Sequence, residues 1–287
     1  VKYDPLNANN YPLSGNIANI RIDSSNVSSD GWVYITGGTQ AAELDSGTYL
    51  TNVTVAPGTK LMLDRDAYIN FNDASMIGTD SLPIQIQSDG QGAGLSINGS
   101  ELAYVVYSSS KETTIGSDTL VRQSDIMMDG YIYGTIESSY LKSSGWYLYF
   151  NGKLINSFYQ PDSYGCLNSA SASSVNSYID GQGSYCRSNS AAITSSILSN
   201  GSIWAMSSTI TDSYIQGVSS NGEFSTFVNS DVGLGSGTRN HFFDGSYLGF
   251  DSGLGEPIDQ LGDGIANTVL TDPATSNTYT VDGVTNP

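Results

Sequence analysis

A serine followed two residues later by an aliphatic residue recurs through the second half of the chain, as in VNSYIDG at 175–181, ITDSYIQG at 210–217 and GSYLG at 245–249. With the serine as anchor, copies stand at Ser139, Ser157, Ser177, Ser195, Ser213, Ser230 and Ser246, at intervals of 18, 20, 18, 18, 17 and 16 residues. Looser copies at Ser75, Ser100 and Ser124 are spaced more widely, which predicts inserted loops. A unit this short cannot bury its apolar side alone. Stacking successive units makes a continuous core, so the repeat predicts a solenoid.

Around each anchor the pattern has period two. Ile155, Val175, Ile193, Thr211 and Val228 stand two residues before it, and Glu137 and Asp244 break that column. Leu141, Tyr159, Ile179, Ile197, Ile215, Val232 and Leu248 stand two after it. This alternation predicts one short strand per coil, with one side in and one side out. No helical periodicity of useful length competes. An antiparallel sandwich would show strands at about 8–12-residue spacing without a repeated side-chain column. The expected fold is all-β, a single-stranded right-handed parallel β-helix over 48–287, with a C-terminal cap from about 250. Residues 1–47 show no repeat and read as an N-terminal cap or a segment next to a linker, because a bare solenoid end exposes strand edges. A start at Val1 without Met reads as a processed or excised piece of a longer product.

The stretch VTVAPGTKLML from Val53, then AYINF, then IGTDSLPIQI, resembles the opening coils of right-handed parallel β-helices of bacterial cell-surface and carbohydrate-active proteins. SYLGFDSG at 246–253, an Asp- and Gly-rich loop and YTVDGVTNP resemble their closing coil and cap. The resemblance speaks for fold, and only weakly for function.

Composition narrows the partners. Only 10 Lys+Arg stand against 28 Asp+Glu, for a net charge of −18. The basic residues are scattered, so neither nucleic acid nor an anionic membrane surface is an expected partner. No apolar run approaches the roughly 20 residues that span a bilayer, so no membrane insertion is expected of this segment. Charged residues make up only 13% of the chain, against about 25% in ordinary soluble domains, while Tyr (19) and Gly (32) abound. With His241 the single histidine, a Cys/His zinc site is excluded.

If the anchors and the aliphatic residues point inward, the residue between them points out. That column is Tyr140, Phe158, Tyr178, Ser196, Tyr214, Asp231 and Tyr247. The column one before the anchor is Ser138, Asn156, Asn176, Thr194, Asp212, Asn229 and Gly245. An aromatic row beside small hydrogen-bonding groups suits a glycan, whose pyranose rings have apolar C–H faces and hydroxyl edges. The candidate ligand-binding residues are therefore Tyr140, Phe158, Tyr178, Tyr214, Tyr247, Asn156, Asn176 and Asn229. An aromatic ladder can equally serve coil stacking alone. A Tyr- and Ser-rich, lysine-poor β-helix of this kind resembles the C-terminal domain of tapirins, adhesins that attach cellulolytic bacteria to cellulose. The resemblance implies a non-catalytic polysaccharide-binding adhesin domain, an extracellular or cell-surface location, and insoluble polysaccharide, foremost cellulose, as partner.

The rival expectation is a β-helical glycoside hydrolase or lyase. Lyases of polyanionic glycans need Ca²⁺ and a basic residue, and the five arginines here are isolated at 21, 65, 122, 187 and 239. A charge of −18 also repels such substrates. Asp212 and Asp231, on consecutive coils, are the carboxylates a neutral-glycan hydrolase would recruit, and a solvated surface is the plainer reading of both. No catalytic residue and no cofactor is expected. Ca²⁺ at the acidic stretch holding Asp251, Glu256, Asp259, Asp263 and Asp272 is a minority option, because its spacing matches no EF-hand loop.

Cys166 lies 11 residues before Ser177 and Cys186 lies 9 before Ser195, which places them at nearly the same level on adjacent coils. Coil spacing of about 4.8 Å falls within the Cα separation a disulfide allows; two buried thiols side by side are the alternative. Intact mass of native protein after alkylation should show no added label, and two labelled thiols would refute the bridge.

Overall fold

The computed structural model describes residues 16–23, 32–35, 47–63, 68–88, 94–161, 167, 169–181, 185–199 and 202–216. Beyond these it describes the strands at 221–223, 226–228, 231–233, 236–238, 241–243, 247–249, 268–271 and 278–281. Every regular element among them is a β-strand. The chain divides into two compact units, residues 1–148 and 149–287. In each, short strands stack in parallel as the coils of a β-solenoid.

Each coil of 1–148 supplies three strands in turn. The first face stacks Asn16–Ala18, Thr48–Thr51, Tyr68–Asn72 and Gly94–Asn98. The second stacks Arg21–Ile22, Thr54–Val55, Ser75–Ile77, Glu101–Ala103, Leu120–Arg122 and Thr135–Glu137. The third stacks Trp32–Ile35, Lys60–Leu63 and Ile84–Ser88 on the start of Val105–Ile115. Val105–Ile115 and Asp125–Ile132 are long because the third face of one coil runs directly into the first face of the next. Residues 16–35, expected within a non-repeating cap, thus already give one strand to each face.

The same cycle recurs in 149–287. One stack is Lys153–Ile155, Ser173–Val175, Ala192–Thr194, Thr209–Thr211, Thr226–Val228 and His241–Phe243. The next is Phe158–Gln160, Tyr178–Asp180, Ile197–Ser199, Tyr214–Gln216, Asp231–Gly233 and Tyr247–Gly249. The third is Tyr185–Asn189, Ser202–Met206, Asn221–Glu223 and Ser236–Thr238. Thr268–Thr271 and Thr278–Val281 pair antiparallel, within the stretch expected as a cap.

The core is built of register columns. Leu50, Phe71, Ile97, Ile115 and Ile132 stack coil over coil on the first face of 1–148, each almost wholly buried. Full burial of such a side chain contributes about 1.5–3 kcal/mol. In 149–287, Tyr159, Ile179 and Leu198 form the inward column as the strand pairing sets it. Phe150 packs its ring 5.7 Å from that of Tyr159.

The anchor serines are buried, for a reason the repeat alone does not reveal. The residue before each adopts a left-handed conformation: Gly99, Gln123, Ser138, Asn156, Asn176, Ser195, Ser207 and Asp212 all have φ between 48° and 58°. That residue turns the chain from one face to the next. Asn and Asp tolerate this conformation best among non-glycine residues. The serine after the corner then points inward. Its hydroxyl donates to the carbonyl two residues back and accepts a backbone N–H of the preceding coil. Ser177 Oγ donates to Val175 O (2.9 Å) and accepts Ser157 N (3.1 Å). Ser124, Ser139, Ser196 and Ser213 are bonded in the same two ways, and so are Ser100 and Ser208.

This corner corrects three expectations. Alternation does not run through a left-handed residue, so the column two before the anchor is not inward. Val175 is 41% exposed, Ile155 and Thr211 are half-buried, and the inward residues lie three before: Leu154, Ser174, Ile193 and Ile210. Tyr178 pairs with Ile197 and Ile179 with Leu198, so the anchor of that coil is Ser196 and not Ser195. At the earliest looser copy, Ala74 fills the buried position after Asp73, and Ser75 is half-buried.

Ser196→Ala would strip Ser177 N–H of its acceptor and Ser174 Oγ of a partner. An unsatisfied buried group costs about 1–3 kcal/mol, so the denaturant midpoint should fall accordingly. Ser195→Gly should be neutral or mildly stabilising, because glycine adopts the left-handed corner without steric cost. The reverse order of the two effects would refute this register.

Candidate functional site

The expected outward row lies on the stack that begins with Phe158–Gln160. Phe158, Tyr178, Ile197, Tyr214, Asp231 and Tyr247 occupy one column of Cα partners. Ser196, expected in that row, is buried, and Ile197 takes its place at 42% exposed. The slip follows from the corner at Ser195: a shift of one residue exchanges the two sides of a strand. The rings of Phe158 and Tyr178 are stacked, centroids 5.2 Å apart with planes 14° from parallel. Each ring therefore gives a face to its neighbour. The side chains of Tyr214, Asp231 and Tyr247 lie outside the described residues.

Tyr140, in 1–148, opens the strand Tyr140–Phe150 and is 37% exposed. The outward column of the third face in that unit is Lys60, Gln85, Val106 and Asp125. None of these four is aromatic; the aromatic residue that follows a corner serine in this unit is Tyr140, after Ser139.

Asn156 and Asn176 are the left-handed corner residues, exposed, and Asn176 Nδ2 donates to Asn156 Oδ1 at 2.8 Å. They form an amide ladder along the corner, so part of the hydrogen-bonding capacity expected for a ligand is used within the fold. Thr194, expected in that column, is displaced from the corner by Ser195. Asp212 is likewise an exposed corner residue. Asn229, Cys166, the side chain of Cys186 and the acidic residues 251–272 apart from strand residues 268–271 lie outside the described residues. Among the described residues no three His, Cys, Asp or Glu are grouped to hold a metal ion, and no helix is long and apolar enough to cross a membrane.

A second aromatic cluster, not singled out in the sequence, lies in 1–148. Glu112 and Asp129 are Cα partners on neighbouring coils, where the register resumes after a shift between Ser108 and Glu112. Such a bulge re-aims side chains. Asp129 is buried, and its Oδ1 accepts Ser143 Oγ (2.9 Å) and Ser144 N (3.1 Å). Glu112 is exposed, and its Oε2 accepts the Tyr147 hydroxyl at 2.8 Å. Tyr131, in the strand Asp125–Ile132, and Tyr133, just past its end, flank the buried Ile132. Their rings are 6.3 Å apart and 9° from parallel, and Tyr133 is 45% exposed. Tyr147 meets Tyr131 edge-on, 6.1 Å away at 65°. Gly130 sits beside the cluster at φ 115°, where a Cβ would stand 2.3 Å from Thr113 O. The alternating YIY at 131–133 is the signal that could have found this site.

Two tyrosine hydroxyls are perturbed. Tyr107 is fully buried and its hydroxyl bonds Thr113 Oγ1 at 2.7 Å; burial pushes its pKa up to about 12, with the bond to Thr113 acting against it. Tyr147 is also pushed up to about 12, first by donating to the Glu112 carboxylate, then by desolvation and the nearby negative charges.

No protein-family model matches the chain, and no curated protein does either. Among solved structures it is similar to the one titled "Crystal structure of Agl-KA catalytic domain", with 8% identity and a TM-score of 0.43. That likeness covers 81% of this chain and 62% of the other, so the chain spans less than two thirds of that structure. A likeness of this degree says nothing of activity.

Because the folded pKa of Tyr147 lies above the usual value near 10, its contribution to stability is whole below about pH 10 and is lost as pH rises toward 12. Glu112→Gln removes the carboxylate acceptor. In a spectrophotometric titration near 295 nm, one tyrosine should then move from about 12 toward the ordinary range. An unchanged titration curve would mean the Glu112–Tyr147 bond does not form in solution.

Proposed function

We propose that the protein is a non-catalytic polysaccharide-binding domain acting as a cell-surface adhesin, with insoluble cellulose as the foremost ligand. The observation that carries the reading is the column Phe158–Tyr178–Ile197–Tyr214–Asp231–Tyr247, in which four of six members are aromatic and one is an exposed isoleucine. An extended glycan is itself a linear repeat, and a column of partners along stacked coils offers it repeated contacts. Phe158 and Tyr178 give one face each to the other, so a sugar would use the remaining ring surface and the tyrosine hydroxyl. Each such contact is modest, about 0.5–1.5 kcal/mol. The net charge of −18 disfavours acidic glycans and leaves neutral ones unopposed.

A glycan-cleaving enzyme is the second reading. The observation in its favour is the partnering of Glu112 and Asp129 on adjacent coils, since two carboxylates across a glycosidic bond are what hydrolysis needs.

Tyr178→Ala should weaken adsorption to cellulose a few-fold and leave it insensitive to salt. Combined Tyr178, Tyr214 and Tyr247→Ala should nearly abolish adsorption with the melting transition largely kept. Adsorption of the triple variant equal to the parent would reduce the row to a stacking ladder. Release of reducing sugar by purified protein, lost in Glu112→Gln or Asp129→Asn, would establish the enzyme instead.

A further inference from the structure

We propose that Tyr131, Tyr133, Tyr147 and Glu112 form a separate binding subsite in 1–148 for a single uncharged pyranose unit of a glycan. The subsite shares no residue with the row on 149–287 and does not depend on it.

Coil stacking accounts for the edge-on contact between Tyr131 and Tyr147, which stand on neighbouring coils, but not for Tyr133. A stacking ladder needs rings on successive coils, as with Phe158 and Tyr178. Tyr131 lies in the strand Asp125–Ile132 and Tyr133 just past its end on the same coil, so their parallel rings tie no coil to another. A 6.3 Å separation is near the far end of the range for aromatic pairs, which makes their mutual contact slight. Tyr133 is 45% exposed, among the most exposed large side chains described. A pyranose presents a C–H face of about the same breadth as a ring.

The polar half of the subsite is Glu112. A carboxylate with its four lone-pair sites accepts two neighbouring hydroxyls at once, which is the arrangement a vicinal diol offers. The bond from Tyr147 holds the carboxylate in place and occupies one oxygen, so the other side stays available. Thr114, the Cα partner of Tyr131, adds a half-buried hydroxyl on the preceding coil.

Local backbone geometry maintains this arrangement. The register shift between Ser108 and Glu112 re-aims the carboxylate. Gly130 is held at a φ that only glycine adopts readily, with Thr113 backbone where a Cβ would be. Gly145, two residues before Tyr147, is at φ 127°. Both glycines take a backbone that other residues rarely adopt, and so fix the path of the chain beside this exposed polar and aromatic cluster. Glu112 and the buried Asp129 carboxylate are both acceptors, so the subsite repels uronates and sulfated sugars and selects hydroxyl donors.

The test titrates the full chain with soluble cellohexaose, xylohexaose, mannohexaose and chitohexaose, with trigalacturonate as the charged control, by calorimetry. At least one neutral oligosaccharide should bind and trigalacturonate should not. Tyr133→Ala should weaken that binding by about 3- to 10-fold, Tyr133→Phe should restore most of it, and Glu112→Gln should weaken it by about 10-fold. The row variant Tyr178, Tyr214 and Tyr247→Ala should leave it unchanged. Absence of binding by all four neutral sugars overturns the subsite, as does parental binding by both Tyr133→Ala and Glu112→Gln. Either result leaves the cellulose reading standing if the row variant still loses adsorption to the solid. Binding that is abolished by the row variant alone overturns the subsite and supports the row.

Discussion

The hydrogen bond from a corner serine to the coil before it is the interaction on which the rest of this fold depends. At the corners from Ser100 to Ser213 that carry it, a left-handed residue breaks the strand ladder, and the next N–H has no strand carbonyl opposite it. The serine hydroxyl of the next coil accepts that N–H and donates a hydrogen bond to the carbonyl two residues behind it. One such bond is worth about 1 kcal/mol net, but the buried N–H it satisfies would cost more if left alone. The bond lines one corner at Ser124, Ser139, Ser177, Ser196 and Ser213 with neutral dipoles, and recurs at another corner at Ser100 and Ser208. It also fixes register, and register decides which side chains face water.

That logic explains what could be read from the sequence. The serine column was legible because the hydroxyl recurs on successive coils from Ser124 onward, and it led directly to a parallel solenoid. The error at Ser195 arose in the stretch TSSIL, where paired serines and paired aliphatics fit two registers equally. Counting three residues back to an inward Ile193 resolves it, but only once the corner is known to be left-handed. The Asn and Asp before so many anchors were the sign of that corner, and they were read as a surface for hydroxyls instead. The coil in 16–35 was not legible because one strand per face, with no corner serine, makes no internal repeat.

The candidate surfaces divide in the same way. The row through Phe158 and Tyr178 follows from the serine column, so its membership was legible apart from Ile197. What could not be read was that the two rings stack on each other, since that depends on rotamers and not on spacing. The cluster around Glu112 was hidden for a different reason. A bulge before Glu112 and the positive φ at Gly130 and Gly145 interrupt period two, so the residues that meet there share no single column in the sequence.

The two aromatic surfaces also differ in what evolution could do with them. A ring in the row contributes to coil cohesion whether or not a ligand is present, so its retention says little about binding. Tyr133 ties no coil to its neighbour, so coil cohesion does not explain its place. Both surfaces stand on outward positions that the serine ladder leaves unconstrained. The ladder carries the register on its own, through neutral hydroxyls buried at the corners. The outward residues are thereby free to change without loss of fold, and a chain with few charges can carry tyrosines there where most soluble proteins carry lysine and glutamate.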